Sequence, residues 1–193
     1  MAGKMVEIRW HGRGGQGAKT AAIFLAEAVQ AKGKFSQGFP EYGPERRGAP
    51  MRGYTRIADE PIRRHCSIDS PDVVVVLDST LLESPAAGVT AGSGDKTIFL
   101  VNTGESPAQI RARLKVKGGK VYTVPATQIA LDTVRRDIPN MPMTGALVAV
   151  TQLMPVAELQ RIFGQKSQKK FAQAVIDGNL AAIERAAKEL VSE

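Results

Sequence analysis

The segment Asp72-Val73-Val74-Val75-Val76-Leu77-Asp78 shows no alternation of polar and apolar residues. A β-branched run this dense suits a strand covered on both faces, the condition of an inner strand in a parallel sheet. Parallel strands need long crossovers, so a chain built around this segment must place helices between its strands. The rest of the sequence supplies them. Met5–Trp10 alternates and ends in a glycine cluster, Ala18–Lys32 follows as a helix stopped by Gly33, and Thr97–Asn102 and Lys120–Val124 repeat the strand pattern around a helix over Pro107–Lys117. Lys34–Phe39 reads as a second short strand. Met51–Ile57 and Ile62–Ile68 flank Ala58-Asp59-Glu60-Pro61 and read as an antiparallel hairpin. Beyond Pro125 the pattern is helical over Thr127–Arg136, Thr144–Leu153, Val156–Phe163, Gln168–Ile176 and Leu180–Val191, with Thr144 placed to cap its helix. The expected architecture is α/β: a mainly parallel sheet with helices on both faces, an antiparallel hairpin insertion, and a helical C-terminal extension over about residues 155–193.

The 193 residues contain no internal repeat and no linker long enough to separate a second core from the first, so residues 1–193 read as a single domain. With 43% hydrophobic and 23% charged residues the chain falls outside the disordered and low-complexity classes. Its one cysteine, Cys66, excludes an internal disulfide and an unaided iron–sulfur cluster, and reads as a buried, unreactive thiol. No apolar run reaches the roughly 18 residues needed to cross a bilayer, which points to a soluble, cytoplasmic protein without a membrane partner. A net charge of +7 favours anionic partners. Aromatics are only 5% of residues and do not interleave with basic ones, which argues against nucleic acid.

Gly12-Arg13-Gly14-Gly15-Gln16-Gly17 holds G-x-G-x-x-G at Gly12, Gly14 and Gly17, after a strand and opening a helix. Glycines there let the backbone pass close to a phosphate, and the free N–H groups of the helix end favour an anion. A tight ligand-free turn is the alternative. A nicotinamide dinucleotide would also require a carboxylate about 20 residues on, at the end of the next strand, and Lys34–Phe39 has none. The motif therefore favours a phosphate or pyrophosphate over hydride transfer, with Arg13 and Lys19 adding positive charge.

Between Phe35 and Cys66 lie Arg46, Arg47, Arg52, Arg56, Arg63 and Arg64, with no lysine. Guanidinium groups suit planar, paired recognition of phosphate and carboxylate, so these residues read either as a ligand or interface clamp or as a solvated face. The clamp reading is favoured for Arg46 and Arg47, which lie in a proline- and glycine-rich loop between Pro40 and Pro50. His11 and His65 lack neighbours at metal-ligand spacing and read as structural hydrogen-bonding residues. No nucleophilic triad and no carboxylate pair is evident. Asn140 stands in a turn of small and polar residues ahead of an apolar helix.

Four segments in order, Ile8–Gly17, Phe39–Pro50, Pro71–Asp78 and Asn140–Leu147, resemble the gamma subunits of pyruvate:ferredoxin oxidoreductase (pyruvate synthase) and the wider family of 2-oxoacid:ferredoxin oxidoreductases. The resemblance spans essentially the whole chain. It implies a non-catalytic subunit in an enzyme that converts a 2-oxoacid, pyruvate first, and coenzyme A to acyl-coenzyme A and carbon dioxide while reducing ferredoxin. It further implies alpha, beta and delta-type partner subunits, with thiamine diphosphate and the iron–sulfur clusters carried there. This chain would contact coenzyme A through Gly12, Arg13, Gly14, Gly15, Gln16 and Gly17, joined by Tyr42, Glu45, Arg46 and Asn140. A stand-alone nucleotide-phosphate-binding regulatory domain and a basic nucleic-acid-binding protein are the other classes open to such a chain.

Overall fold

The computed structural model describes residues 5–41 and 48–193. One seven-stranded sheet forms its centre, made of β1 (Val6–Arg13), β2 (Phe35–Pro40), β3 (Pro50–Ala58), β4 (Val73–Val76), β5 (Ile98–Asn102), β6 (Lys120–Val124) and β7 (Val191–Ser192), in the order β2-β3-β1-β4-β5-β6-β7. β1, β4, β5 and β6 are parallel; β3 runs antiparallel to β1, β2 to β3, and β7 to β6. The helices are α1 (Ala18–Gln30), α2 (Pro107–Leu114), α3 (Ala126–Val134), α4 (Asn140–Thr151), α5 (Val156–Ser167) and α6 (Gln173–Lys188). None is long and apolar enough to cross a membrane.

The valine run sits where its lack of alternation requires. Val73 and Val75 join Ile8, Trp10 and Leu100 in a core beneath α1 and the C-terminal helices, whereas Val74 and Val76 join Phe99, Val101 and Val121 in a second core beneath α2. Both faces are therefore apolar at this strand. Among the described residues the second face is the more thinly covered, since α2 is its one α-helix and the 3₁₀ turns Ser79–Glu83 and Pro85–Ala87 close the rest.

The expected hairpin does not form. β3 is present, but β1 and β2 occupy its two edges, so Ile62–Ile68 finds no strand to pair with and crosses the second face as irregular chain. Two of the expected C-terminal helices also merge: α6 runs unbroken across the gap left between Ile176 and Leu180, where Gly178 is a packing residue. A Cβ there would lie 2.5 Å from the Thr133 carbonyl oxygen of α3. The residues after α6 turn into β7 rather than helix, because the Glu193 side chain accepts from Arg111 Nε at 2.6 Å and from the Val121 amide at 2.8 Å. Thr144 lies inside α4, where its hydroxyl donates to the Asn140 carbonyl at 2.8 Å instead of capping.

Helix α4 is buried at every residue from Asn140 to Val148, the mark of a central helix. Its closest neighbour approaches at Gly145, where a Cβ would stand 2.5 Å from the Ile183 carbonyl oxygen of α6. Gly145→Ala should therefore force α4 and α6 apart and lower unfolding stability by about 1–3 kcal/mol, despite the better helix propensity of alanine. Chemical denaturation of the two chains checks this, and a stabilised alanine variant would contradict the packing.

Candidate functional site

At their carboxyl ends β1 and β4 lie side by side, and the chain leaves them in opposite directions, through α1 to β2 on one flank and onward to β5 on the other. Such a divergence opens the crevice where doubly wound folds take ligands. The glycine loop fills one lip of it. Left-handed backbone falls at Gly15 (φ 104°) and Gly17 (φ 84°), which turn the chain from strand to helix. The Gly14 amide donates to the Ala49 carbonyl at 3.0 Å, and its carbonyl accepts from Gly48 at 3.2 Å, so the loop stays tied to the start of β3.

Asp78, just past β4, organises the other lip. Its Oδ2 accepts from Arg13 Nε at 3.0 Å and Gln16 Nε2 at 2.9 Å, and its Oδ1 from the Thr80 amide at 3.0 Å and hydroxyl at 2.6 Å. Burial alone would raise its pKa; the hydrogen bonds from Thr80 and Gln16 and the charge of Arg13 outweigh that and hold the carboxyl below its ordinary value. Arg13 also donates to the Gly48 carbonyl at 3.1 Å and to Thr80 Oγ1 at 2.8 Å. A guanidinium has five N–H groups, so these three contacts fix its plane and leave two without a partner among the described residues, at a side chain still 32% exposed.

The amide of Ala21 is the first in α1 to find an intrahelical acceptor, on Gly17, which leaves those of Ala18, Lys19 and Thr20 without one in the helix. Asn140, the first residue of α4, packs directly on Gly17: a Cβ at Gly17 would fall 2.6 Å from Asn140 Nδ2. Two helix N-termini thus meet at one point, with no acidic residue in the first turn of either. Asn102 secures the next strand end, donating to the Leu77 carbonyl and Thr127 Oγ1, both at 2.8 Å, and accepting from the Thr127 amide at 3.0 Å. The fold therefore brings Gly12 through Gly17 and Asn140 together. Tyr42, Glu45 and Arg46, with Arg47, lie outside the described residues.

Arg9, Arg52 and Arg56 are committed to carbonyls of the fold itself. Arg9 (4% exposed) donates to His11 Nε2 at 3.0 Å and to the carbonyls of Ile68, Val89 and Ala91 at 3.3, 3.1 and 2.5 Å. Arg56 (1% exposed) bonds Glu7 Oε1 at 2.7 Å and the Ser67 carbonyl at 3.1 Å, and lies 5.5 Å from the Phe39 ring centroid. Arg52 donates to the Ala87 carbonyl at 3.0 Å. Together they pin the helix-free segments to the second sheet face, while Arg63 and Arg64 are exposed. Cys66 is exposed as well, 3.8 Å from Arg56, because the segment expected to be a covered strand runs over the surface.

The pyruvate ferredoxin/flavodoxin oxidoreductase family model matches residues 7–189. The chain belongs to this family. It is 48% identical over 190 residues to pyruvate synthase subunit PorC of Thermotoga maritima, covering 98% of this chain and 97% of that one. It is 44% identical to the pyruvate/ketoisovalerate oxidoreductases common subunit gamma of Thermococcus kodakarensis, covering 97% and 98%. The crystal structure of the Thermotoga maritima subunit superposes with a TM-score of 0.85 at 45% identity, over 98% of this chain and 99% of that chain. A 2-oxoglutarate:ferredoxin oxidoreductase from Magnetococcus marinus shares the fold, with a TM-score of 0.75 at 23% identity, over 96% of this chain and 31% of that chain. Within the family this is a gamma-type chain, a subunit of a 2-oxoacid:ferredoxin oxidoreductase.

Sequence reasoning singled out the glycine loop and overlooked Asp78, Thr80 and Asn102. The signal was present: each stands at or just past the carboxyl end of a parallel strand, where such folds place ligand-facing groups.

His11 is neutral in this setting. Burial, then the charges of Arg9 and Arg52, pull its pKa down to about 3, and accepting from Arg9 at Nε2 leaves its proton on Nδ1. Because the folded value lies below the unfolded one near 6.5, the unfolded chain binds a proton that the fold refuses, and stability falls as pH drops below about 6.5. Between pH 6.5 and 4.5 this amounts to about 2 kcal/mol. Asp78 and other low-pKa carboxyls act below that window. His11→Gln should flatten the stability profile across it, as read by denaturant midpoints at each pH; an unchanged slope would assign the loss to another group.

Proposed function

We propose that this chain is the gamma subunit of a cytoplasmic complex that converts a 2-oxoacid, pyruvate first, and coenzyme A to acyl-coenzyme A and carbon dioxide with reduction of ferredoxin, and that its own role is to hold coenzyme A. Thiamine diphosphate and the iron–sulfur clusters belong on alpha, beta and delta-type partner subunits, since a chain with one cysteine has no cluster ligand set. The observation that carries the coenzyme A assignment is the convergence at Gly17: the amides of α1 without intrahelical acceptors, the Asn140 side chain packed on Gly17, and Arg13 braced by Asp78 with N–H groups uncommitted among the described residues. This donor set suits a phosphate. The relative from Thermococcus kodakarensis is described as common to pyruvate and ketoisovalerate oxidoreductases, and a subunit shared between two oxoacids fits one that handles the substrate they have in common.

In this reading carbon dioxide leaves before coenzyme A is needed, so the two can be measured apart. With the intact complex, Arg13→Gln should raise the coenzyme A concentration for half-maximal multiple-turnover rate by roughly one to two orders of magnitude, the loss of one charge-assisted contact. Carbon dioxide release in a single turnover without coenzyme A should match the unmutated complex. An unchanged coenzyme A titration, or equal loss of both activities in an assembled complex of normal thermal stability, would remove the glycine loop from coenzyme A binding.

A further inference from the structure

The bracing of Arg13 does not end at Asp78. Asp78 and Thr80, which between them accept three of its contacts' worth of geometry from Nε and Nη2, flank Ser79, the first residue of the 3₁₀ turn Ser79–Glu83. A 3₁₀ turn this short is weakly held by its own hydrogen bonds. Leu81 fixes one side of it by burial in the second core. The other side is fixed from α2: Arg113, in the last turn of that helix, donates from Nη2 to the Ser79 carbonyl at 3.0 Å and to Glu83 Oε1 at 2.8 Å, and from Nη1 to Glu105 Oε1.

The sequence of α2 fixes where Arg113 stands. Ile110 and Leu114, four residues apart, put one stripe of the helix into the second core and leave Arg113 at its margin, 25% exposed. A capping box holds the start of the helix: Ser106 Oγ accepts from the Gln109 amide at 3.4 Å and Gln109 Oε1 from the Ser106 amide at 2.9 Å, with Pro107 at the first position. One guanidinium thus ties α2 to the loop after β5 and to the turn after β4. Glu83 is 72% exposed, and an ion pair that open contributes little. The contact that reaches the lip of the crevice is the one to the Ser79 carbonyl.

From this geometry we infer that Arg113 is a positioning residue for the crevice. Through the Ser79 carbonyl it holds Asp78 and Thr80 where they fix Arg13, so a residue on the second face of the sheet, none of whose hydrogen bonds reaches the glycine loop among the described residues, sets how well that loop takes a phosphate. This role rests on the reading of the glycine loop as a coenzyme A site. The two fail separately, because the link from Arg113 to Arg13 is present in the chain without any ligand.

The link is read first by NMR on the full 193-residue chain, where the Arg13 Nε–H bonded to Asp78 is identified by its loss in Arg13→Gln. Arg113→Gln should speed exchange of that proton with solvent at least about fivefold and leave the amides of β4 unchanged, which shows that the sheet is intact. In the assembled complex Arg113→Gln should raise the coenzyme A concentration for half-maximal rate about three- to tenfold, with the rate at saturating coenzyme A and the coenzyme A-free release of carbon dioxide unchanged. Combined with Arg13→Gln it should cost no more than about twofold further, since the contact through which it acts is already gone. Arg113→Lys, which keeps a charged donor for the Ser79 carbonyl, should stay within about twofold of the unmutated complex. Unchanged Arg13 exchange, a loss that multiplies with that of Arg13→Gln, a lower saturated rate at unchanged half-saturation, or a loss in Arg113→Lys equal to that in Arg113→Gln would each overturn the role of Arg113. Faster Arg13 exchange in Arg113→Gln, together with a coenzyme A titration that Arg13→Gln leaves unchanged, would instead remove the coenzyme A assignment and keep the positioning link.

Discussion

A guanidinium group buried on a sheet face must find acceptors for up to five N–H donors, and that requirement shapes half of this molecule. Arg9 and Arg56 point from β1 and β3 into a region that no α-helix covers among the described residues. Their acceptors are the carbonyls of Ile68, Val89, Ala91 and Ser67, so the irregular chain around residues 59–71 and 79–92 is drawn onto the sheet by hydrogen bonds where other parallel sheets use an apolar helix face. Removing Arg9 would strand the carbonyls of Ile68, Val89 and Ala91 together, and the arrangement is accordingly cooperative. It also explains His11, whose neutrality follows from its place between two cations in a desolvated layer.

The same arrangement positions the crevice. With Arg9 and Arg52 holding the turns after β4 against the sheet, Asp78 and Thr80 are delivered opposite the glycine loop, where Asp78 locks Arg13 and Gln16 in place. A loop rich in glycine would otherwise sample many conformations, and ligand binding would carry the cost of ordering it. Here that ordering is already done by the hydrogen bonds of Arg13 and Gln16 to one carboxylate, which Thr80 holds in place with two more. Asn140 completes the packing by resting on Gly17, which joins the C-terminal helical layer to the N-terminal loop and makes the site a product of both ends of the chain.

The elements of the fold that were legible in sequence depend on local pattern. Val73–Val76 announced a strand buried on both sides, the glycine cluster after Trp10 marked a strand-to-helix turn, and Lys120–Val124 matched its strand residue for residue. Misreadings arose where the deciding partner lay far along the chain. Ile62–Ile68 looked like the return arm of a hairpin because nothing local revealed that β1 and β2 would take both edges of β3. The helices read over Gln168–Ile176 and Leu180–Val191 join in α6 around Gly178, whose contact is with the distant Thr133, and Cys66, read as buried, is exposed because its segment is not a strand.

The sequence by itself determined the parallel core, the glycine turn and the family resemblance, since each rests on contiguous residues whose backbone preferences and side-chain periodicity act within a few positions. Only the tertiary structure decided which acceptors each charged residue engages. Arg13, Arg52 and Arg56 are alike on paper, and their roles separate once long-range pairing sets which acceptors each can reach. A guanidinium follows the nearest desolvated carbonyl or carboxylate, and that neighbour is a property of the folded arrangement.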